Sequence, residues 1–149
     1  PPRSTLFPYT TLFRSRDGMD IALVCINIEE GSLEYAGAYN PLIMIRNGEL
    51  FETPGEKMPI GYYENMRPFP KHRIKIEKGD MLYMYSDGYE DQFGGPEGKK
   101  FKSKKLKNLL LDIYNYPVDQ QKEMIEKNFL EWKGDLSQID DVVVVGIKI

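Results

Sequence analysis

Two groups of acidic residues stand where predicted β-strands end or begin, and carboxylates at such positions could do chemistry. In "MLYMYSDGYEDQFGG", an apolar run is followed, after a single serine, by Asp87, Glu90 and Asp91. In "SQIDDVVVV", Asp140 and Asp141 come directly before four valines. Carboxylates drawn towards a sheet without a partner are costly, and their oxygens suit a hard divalent cation such as Mg²⁺ or Mn²⁺. Spacing alone leaves open a metal site and a pair of solvated turns.

The Asp-Gly pair at 87–88 differs from a second turn signal in the same chain. Asn47-Gly48 separates "LIMIR" from "ELFET", which predicts a hairpin because both turn residues tolerate positive φ. After Asp87 comes "GYEDQFGGPEGKKF", which is rich in glycine and acids, and no strand pattern resumes. The sequence therefore predicts a strand end that opens into an irregular loop.

The elements that must position these acids are mostly short strands. Residues 19–29 are apolar enough for a central strand, and "SLEYAGAY" predicts a second strand with Leu33, Tyr35 and Gly37 on one face. "HRIKIEKGD" alternates, and we expect it to pair antiparallel with "MLYMYS" through a turn at Lys78-Gly79.

Two helices and one strand are predicted in the last third of the chain. Ser103 can cap a helix, and Pro117 can start another that ends at Gly134. Their apolar stripes are Leu106, Leu109, Leu110 and Ile113 in the first, and Val118, Ile125, Phe129 and Trp132 in the second. Residues 142–149, "VVVVGIKI", predict a buried strand. The early strands are too close together for helical crossovers, so the predicted fold is an antiparallel α+β domain.

Composition narrows the classes of partner. The chain has 149 residues, of which 41% are hydrophobic, and its net charge of −3 does not favour a nucleic-acid partner. No apolar run approaches the roughly 20 residues of a membrane span, so we expect a cytoplasmic chain without membrane contact.

The single cysteine, Cys25, excludes an internal disulfide and is expected to be a buried thiol. The single histidine, His72, is expected to be an exposed strand residue.

The first sixteen residues, "PPRSTLFPYTTLFRSR", do not match the rest of the chain. They repeat "TLF" and contain no acidic residue. We interpret residues 1–16 as a non-native scar or tail, and residues 17–149 as part of one domain.

Several motifs in order resemble one family. "LYMYSDGYEDQFGG", followed some fifty residues later by "QIDDVVVVGI", resembles the C-terminal half of a PPM-type phosphatase of the protein phosphatase type 2C superfamily. "LEYAGAYNPLIMIRNGEL" and "MPIGYY" are similar to segments of its bacterial SpoIIE-like branch. The resemblance covers residues 17–149.

The resemblance implies a sandwich of two antiparallel sheets flanked by helices, with two Mn²⁺ or Mg²⁺ ions at one end. It implies hydrolysis of phosphoserine or phosphothreonine in proteins by a metal-activated water. Asp87 and Asp140 map to the catalytic metal ligands. Asp141 would orient a ligand or water, and Asp91 would support a further metal or a coordinated water. The implied partner is a phosphoprotein regulator such as an anti-sigma-factor antagonist, with a sensory domain expected upstream.

The chain departs from the family pattern in one major respect. The motif that carries the first metal-binding aspartate of the family, and the N-terminal half around it, have no counterpart in the sequence. We therefore expect half of a metal site and little or no turnover by this chain alone. The alternatives are a degenerate phosphatase-like module that binds a phosphoprotein without cleaving it, and a purely structural β-sandwich fragment.

Overall fold

The computed structural model describes residues 18–61 and 64–149. The strands are β1 (Ile21–Asn27), β2 (Ser32–Ala38), β3 (Leu42–Arg46), β4 (Glu49–Thr53), β5 (His72–Lys75), β6 (Met81–Tyr85), β7 (Phe93–Gly94), β8 (Lys99–Lys100) and β9 (Val144–Lys148). The helices are α1 (Gly88–Asp91), α2 (Ser103–Ile113) and α3 (Val118–Lys133). The predicted scar at residues 1–16, together with Asp17 and Tyr62–Tyr63, lies outside the described residues.

The strands form two main antiparallel sheets. One has the order β1-β2-β5, the other the order β4-β3-β6-β9, and β7 pairs with β8 in a small hairpin. This confirms the predicted α+β class. Among the described residues, no helix is both long and apolar enough to cross a membrane.

The core has two layers, one on each face of the four-stranded sheet. Between the two sheets pack the buried side chains of Leu33, Tyr35, Leu42, Met44, Ile76 and Leu82. On the other face, Ile43, Ile45 and the aromatic rings of Tyr83 and Tyr85 pack against α2 and α3. Alternate residues of β3 and β6 thus serve opposite layers, as the period-two geometry of a strand requires.

Several local predictions are confirmed. Asn47 and Gly48 have φ of 50° and 82°, and they join β3 to β4 in register. The structure buries Leu33 and Tyr35 on one face of β2. Both helices begin and end close to the predicted residues, and Gly134 ends α3 with φ of 53°. The prediction that Ser103 caps α2 is wrong, since Ser103 is the first residue of the helix and Lys102 occupies the N-cap position without a side-chain capping hydrogen bond.

The predicted pairing of the "HRIK" strand with the "MLYMY" strand is wrong. β5 pairs with β2 in the first sheet, whereas β6 lies between β3 and β9 in the second. The link between β5 and β6 crosses from one sheet to the other. Arg46 stabilises this crossing, because its guanidinium contacts both the Lys75 carbonyl and the Asp80 carboxylate.

Predictions of burial were also wrong at strand edges. β1 pairs only with β2 among the described residues, so it is not central, and Cys25 projects from the exposed face. His72 is half-buried beside the Tyr35 ring, with 6.0 Å between ring centroids. β9 is an edge strand in the described sheet, and Val145 is 42% exposed.

The segment after Asp87 is not an irregular loop throughout, since it contains α1 and the β7–β8 hairpin.

Candidate functional site

The pairing of β6 with β9 brings the two acidic segments to the same edge of the sheet. Tyr85 pairs with Val144, and the Ser86 N–H extends the ladder by donating to the Val143 carbonyl at 3.0 Å. In an antiparallel pair, the end of one strand lies beside the beginning of its neighbour. Asp87 after β6 and Asp140 before β9 therefore occupy neighbouring loops.

The glycine after Asp87 allows these loops to touch. A Cβ atom added to Gly88 would lie 2.4 Å from the carbonyl oxygen of Asp141, which is far inside van der Waals contact. Only a residue without a side chain permits α1 to approach the Asp141 backbone so closely. The Asp-Gly pair thus serves a close packing contact here, unlike the turn at Asn47-Gly48.

A cavity of about 390 Å³ opens beside Asp87. It lies between the residue that precedes β1, the turn from β2 to β3, and the junction of β6 with α1. Its lining among the described residues is Asp20, Tyr39, Asn40, Pro41, Tyr85, Asp87 and Glu90. Three of these side chains are carboxylates, so the cavity is a concentrated patch of negative charge.

The carboxylates affect one another's ionisation. Burial raises the pKa of Asp20, and the nearby charge of Asp87 raises it further. Burial also raises the pKa of Glu90, where a hydrogen bond with Ser103 and the charge of Lys107 oppose the effect and the charges of Asp91 and Asp87 add to it. Both shifts have the direction expected where negative charges gather without enough compensating positive charge.

Two polar atoms of the cavity residues make no hydrogen bond of normal geometry among the described residues, although Ser103 lies close enough to influence the pKa of both groups. They are the hydroxyl of Tyr85, a residue that is only 4% exposed, and Oε2 of Glu90. Buried polar groups are normally paired, and an unpaired one costs free energy. The cavity therefore offers polar groups that a cation, a water or a polar ligand would satisfy.

The other predicted site residues are placed differently. Asp140 and Asp141 are exposed, and the Asp140 carboxylate accepts a hydrogen bond from the Asp141 N–H at 2.7 Å. Neither belongs to the described lining of the cavity beside Asp87. Asp91 forms an ion pair with Lys100 at 2.8 Å, with both side chains almost half exposed. The structure thus brings Asp87 close to the Asp141 backbone without gathering all four predicted carboxylates in one cavity.

The available donors suit a hard metal ion in kind but not in number. Carboxylate and carbonyl oxygens are the ligands that Mg²⁺ and Mn²⁺ prefer. Within residues 18–61 and 64–149, however, no three His, Cys, Asp or Glu side chains are grouped closely enough to hold a metal ion. These residues could therefore supply at most part of a coordination shell.

Sequence reasoning missed Asp20, and it gave Glu90 and Tyr85 no role. A signal for Asp20 was present, since it is an acid immediately before the apolar run "IALVCINI". That is the same arrangement that singled out Asp140 and Asp141. Glu90 and Tyr85 could not be separated from ordinary turn and core residues without knowing which loops meet.

Comparison with solved structures identifies the fold. The SiaA-PP2C domain of Pseudomonas aeruginosa matches with a TM-score of 0.79 and 27% identity, over 87% of this chain and 51% of that domain. The Mn-presoaked phosphatase domain of SpoIIE from Bacillus subtilis matches with a TM-score of 0.64 and 17% identity, over 87% and 56%. RsbX in complex with magnesium gives a TM-score of 0.54 and 19% identity, over 87% and 55%. The fold is that of PPM-type phosphatase domains, and the chain spans about half of each.

The family follows from the sequence. The family model described as Stage II sporulation protein E (SpoIIE) matches residues 10–149, and the chain belongs to that family. No curated protein sequence matches the chain.

Proposed function

We propose that the chain is the C-terminal part of a metal-dependent protein serine/threonine phosphatase domain that serves bacterial signalling. The observation that carries the proposal is the meeting of the Asp87 and Asp140–Asp141 segments at one edge of the sheet, held in contact through Gly88. The solved relatives include a manganese-soaked phosphatase domain and a magnesium complex. Both ions take the oxygen ligands that these aspartates provide.

Asp87 and Asp140 are the residues that would hold the ions, with Asp141 and Asp91 in supporting positions. When bound, a pair of such ions supplies an activated water and neutralises charge on the phosphoryl group. The contribution of the protein is rigidity, because Asp87 follows a buried strand and its neighbour Gly88 is packed against Asp141. The described residues supply too few ligands for a complete site, so the 149-residue chain should bind Mn²⁺ weakly and turn over little substrate.

The first test uses the complete phosphatase domain, assayed with a phosphoserine peptide and with p-nitrophenyl phosphate at graded Mn²⁺ concentrations. Asp87→Asn and Asp140→Asn should each abolish the metal-dependent activity. Asp112→Asn is a matched control, because Asp112 is an exposed acid on α2 away from this edge. Full activity in both site variants would overturn the assignment.

Asp91 needs a separate control because it is already paired with Lys100. If Asp91 supports a metal, Asp91→Asn should raise the Mn²⁺ concentration needed for half-maximal activity, whereas Lys100→Gln should not. Equal effects of the two substitutions would show that only the ion pair matters.

A binding module without catalysis is the second candidate. It is favoured by the placement of Asp91 in an ion pair with Lys100, and of Asp140 and Asp141 outside the described lining of the cavity beside Asp87. A phosphoprotein regulator, such as an anti-sigma-factor antagonist, is the proposed partner in both cases. A complete domain that binds the phosphorylated regulator but releases no phosphate at saturating Mn²⁺ would favour this second function.

A further inference from the structure

The side chain that follows α1 is one of the most completely buried polar groups in the described structure. Gln92 has 0% exposure, and the other buried polar or charged residues are Asp80 and Gln121. Burial of an amide is costly unless its donors and acceptor are paired. The partners of Gln92 therefore show what this residue holds in place.

Gln92 binds the segment that leads to Asp140. Its Nε2 donates to the carbonyls of Ser137 at 3.0 Å and of Phe93 at 2.9 Å. Its Oε1 accepts from the N–H of Ile139 at 3.4 Å. Both ends of the amide thus reach the backbone on the N-terminal side of Asp140.

Ser86 binds the same segment from the other side. Its hydroxyl donates to the carbonyl of Asp141 at 2.9 Å and accepts from the N–H of Val143 at 3.0 Å. Ser86 is the residue immediately before Asp87, and Gln92 is the residue immediately after Asp91. The two side chains that flank one acidic segment therefore hold both sides of the other.

Neither regular structure nor burial fixes the segment around Asp140. Residues 134–143 lie between α3 and β9 outside any helix or strand. Residues 134–141 are all exposed, including the apolar side chains of Leu136 and Ile139 at 47% and 54%. With so little burial, the segment is restrained by the Gly88 contact with Asp141, by the backbone bond from Ser86 to Val143, and by the side-chain hydrogen bonds of Ser86 and Gln92.

We infer that Ser86 and Gln92 are positioning residues that hold Asp140 in a fixed place relative to Asp87. A metal site requires its ligands in a defined geometry, and mutation of residues that orient the ligands typically costs about 10–100-fold in metal affinity. We call the hydrogen bonds of Ser86 and Gln92 to the Asp140 segment the clamp, and these bonds are present in the described structure. The effect of the clamp on metal affinity rests on the proposed function.

The test compares two buried glutamines in the 149-residue chain. Gln92→Met removes the hydrogen bonds of the Gln92 amide with little change in side-chain volume. Gln121→Met is the matched control. Gln121 is 2% exposed and bonds the Tyr83 hydroxyl and the Tyr116 carbonyl, and it makes no hydrogen bond to the described residues 134–143. Backbone NMR relaxation without metal is the measurement.

We expect the order parameters of residues 137–141 to fall from about 0.85 to below about 0.6 in Gln92→Met and to stay unchanged in Gln121→Met. Ser86→Ala should lower the order parameters of residues 141–143. This variant still tests the inference if Gln92→Met does not fold. Unchanged order parameters in both clamp variants would overturn the inference. An equal loss in Gln121→Met would overturn it too, since general destabilisation would then be the cause.

A Mn²⁺ titration of the same three variants separates the inference from the proposed function. If both hold, Gln92→Met should weaken Mn²⁺ binding by about tenfold and Gln121→Met should not. If the wild-type chain and the complete domain bind no Mn²⁺, the proposed function fails, while the relaxation data still decide whether the clamp exists.

Discussion

Asp80 anchors the crossing between the two sheets, and Asp80→Asn should destabilise the chain strongly. The residue is 1% exposed, and its carboxylate accepts hydrogen bonds from Arg46 Nε at 2.7 Å and Nη2 at 2.6 Å, and from the Glu77 N–H at 2.8 Å. The same Nη2 donates to the Lys75 carbonyl in β5 at 3.0 Å. One ion pair therefore joins both sheets at the end of β6 away from Asp87.

The structure sets the size of the effect. Removing one partner of a buried ion pair costs about 3–5 kcal/mol, because the other charge is left uncompensated. The Arg46 side chain is 23% exposed and can regain some hydration, so we expect a loss near the lower end, about 3 kcal/mol. Glu77 is the control, since it lies 3.6 Å from Arg46 and is 49% exposed. Glu77→Gln should cost less than about 1 kcal/mol.

The destabilisation caused by Asp80→Asn should also depend on pH. Burial alone would raise the pKa of Asp80, but the hydrogen bonds from Arg46 and Glu77, together with the Arg46 charge, outweigh it and lower the pKa. A lowered pKa means that the stabilisation is complete above the unfolded value of about 3.9 and is lost as the pH falls through the folded value. The difference between wild type and Asp80→Asn should therefore shrink in acid.

Urea unfolding of the 149-residue chain, followed by Trp132 fluorescence at neutral and acid pH, would measure both effects. A loss below about 0.5 kcal/mol at neutral pH would place Asp80 among ordinary surface positions and refute the argument. A difference of the same size at both pH values would show that the charge of Asp80 is not the cause.

Three further predictions concern the candidate site and its supports. Gly88→Ala should lower the free energy of unfolding, followed in a thermal melt, by about 1–3 kcal/mol, because its Cβ would lie 2.4 Å from the Asp141 carbonyl. An unchanged melt would mean that the loops separate freely. Asp20→Asn should raise the metal-free stability only slightly, by less than about 0.5 kcal/mol, since burial and Asp87 raise the pKa of Asp20 but solvent screens this exposed carboxylate. A lower melting temperature for that variant would argue against repulsion in the cavity. Tyr89→Phe should lower the free energy of unfolding in urea by about 1 kcal/mol, because the Tyr89 hydroxyl donates to the Ile125 carbonyl at 2.9 Å. An unchanged free energy would show that a bond to water replaces this one.

Local signals in the sequence determined the elements that depend on neighbouring residues. Asn47-Gly48 specified its hairpin because both residues accept positive φ, and the leucine spacing in α2 specified its buried stripe. The acidic strand ends at Asp87 and Asp140 were visible for the same reason, since each is defined by the residues beside it.

Only the tertiary structure decided which segments meet. β5 pairs with β2 rather than with β6, although β5 and β6 are adjacent in the chain, and the Arg46–Asp80 pair bridges the resulting crossing between sheets, which short-range patterns do not encode. Cys25 projects from the exposed face because its neighbours across the sheet, and not its own polarity, set its burial. Asp20 joins the cavity beside Asp87 through the packing of residues distant in sequence. Strand propensity is local, whereas pairing and burial are long-range, and a single sequence expresses the first far more directly than the second.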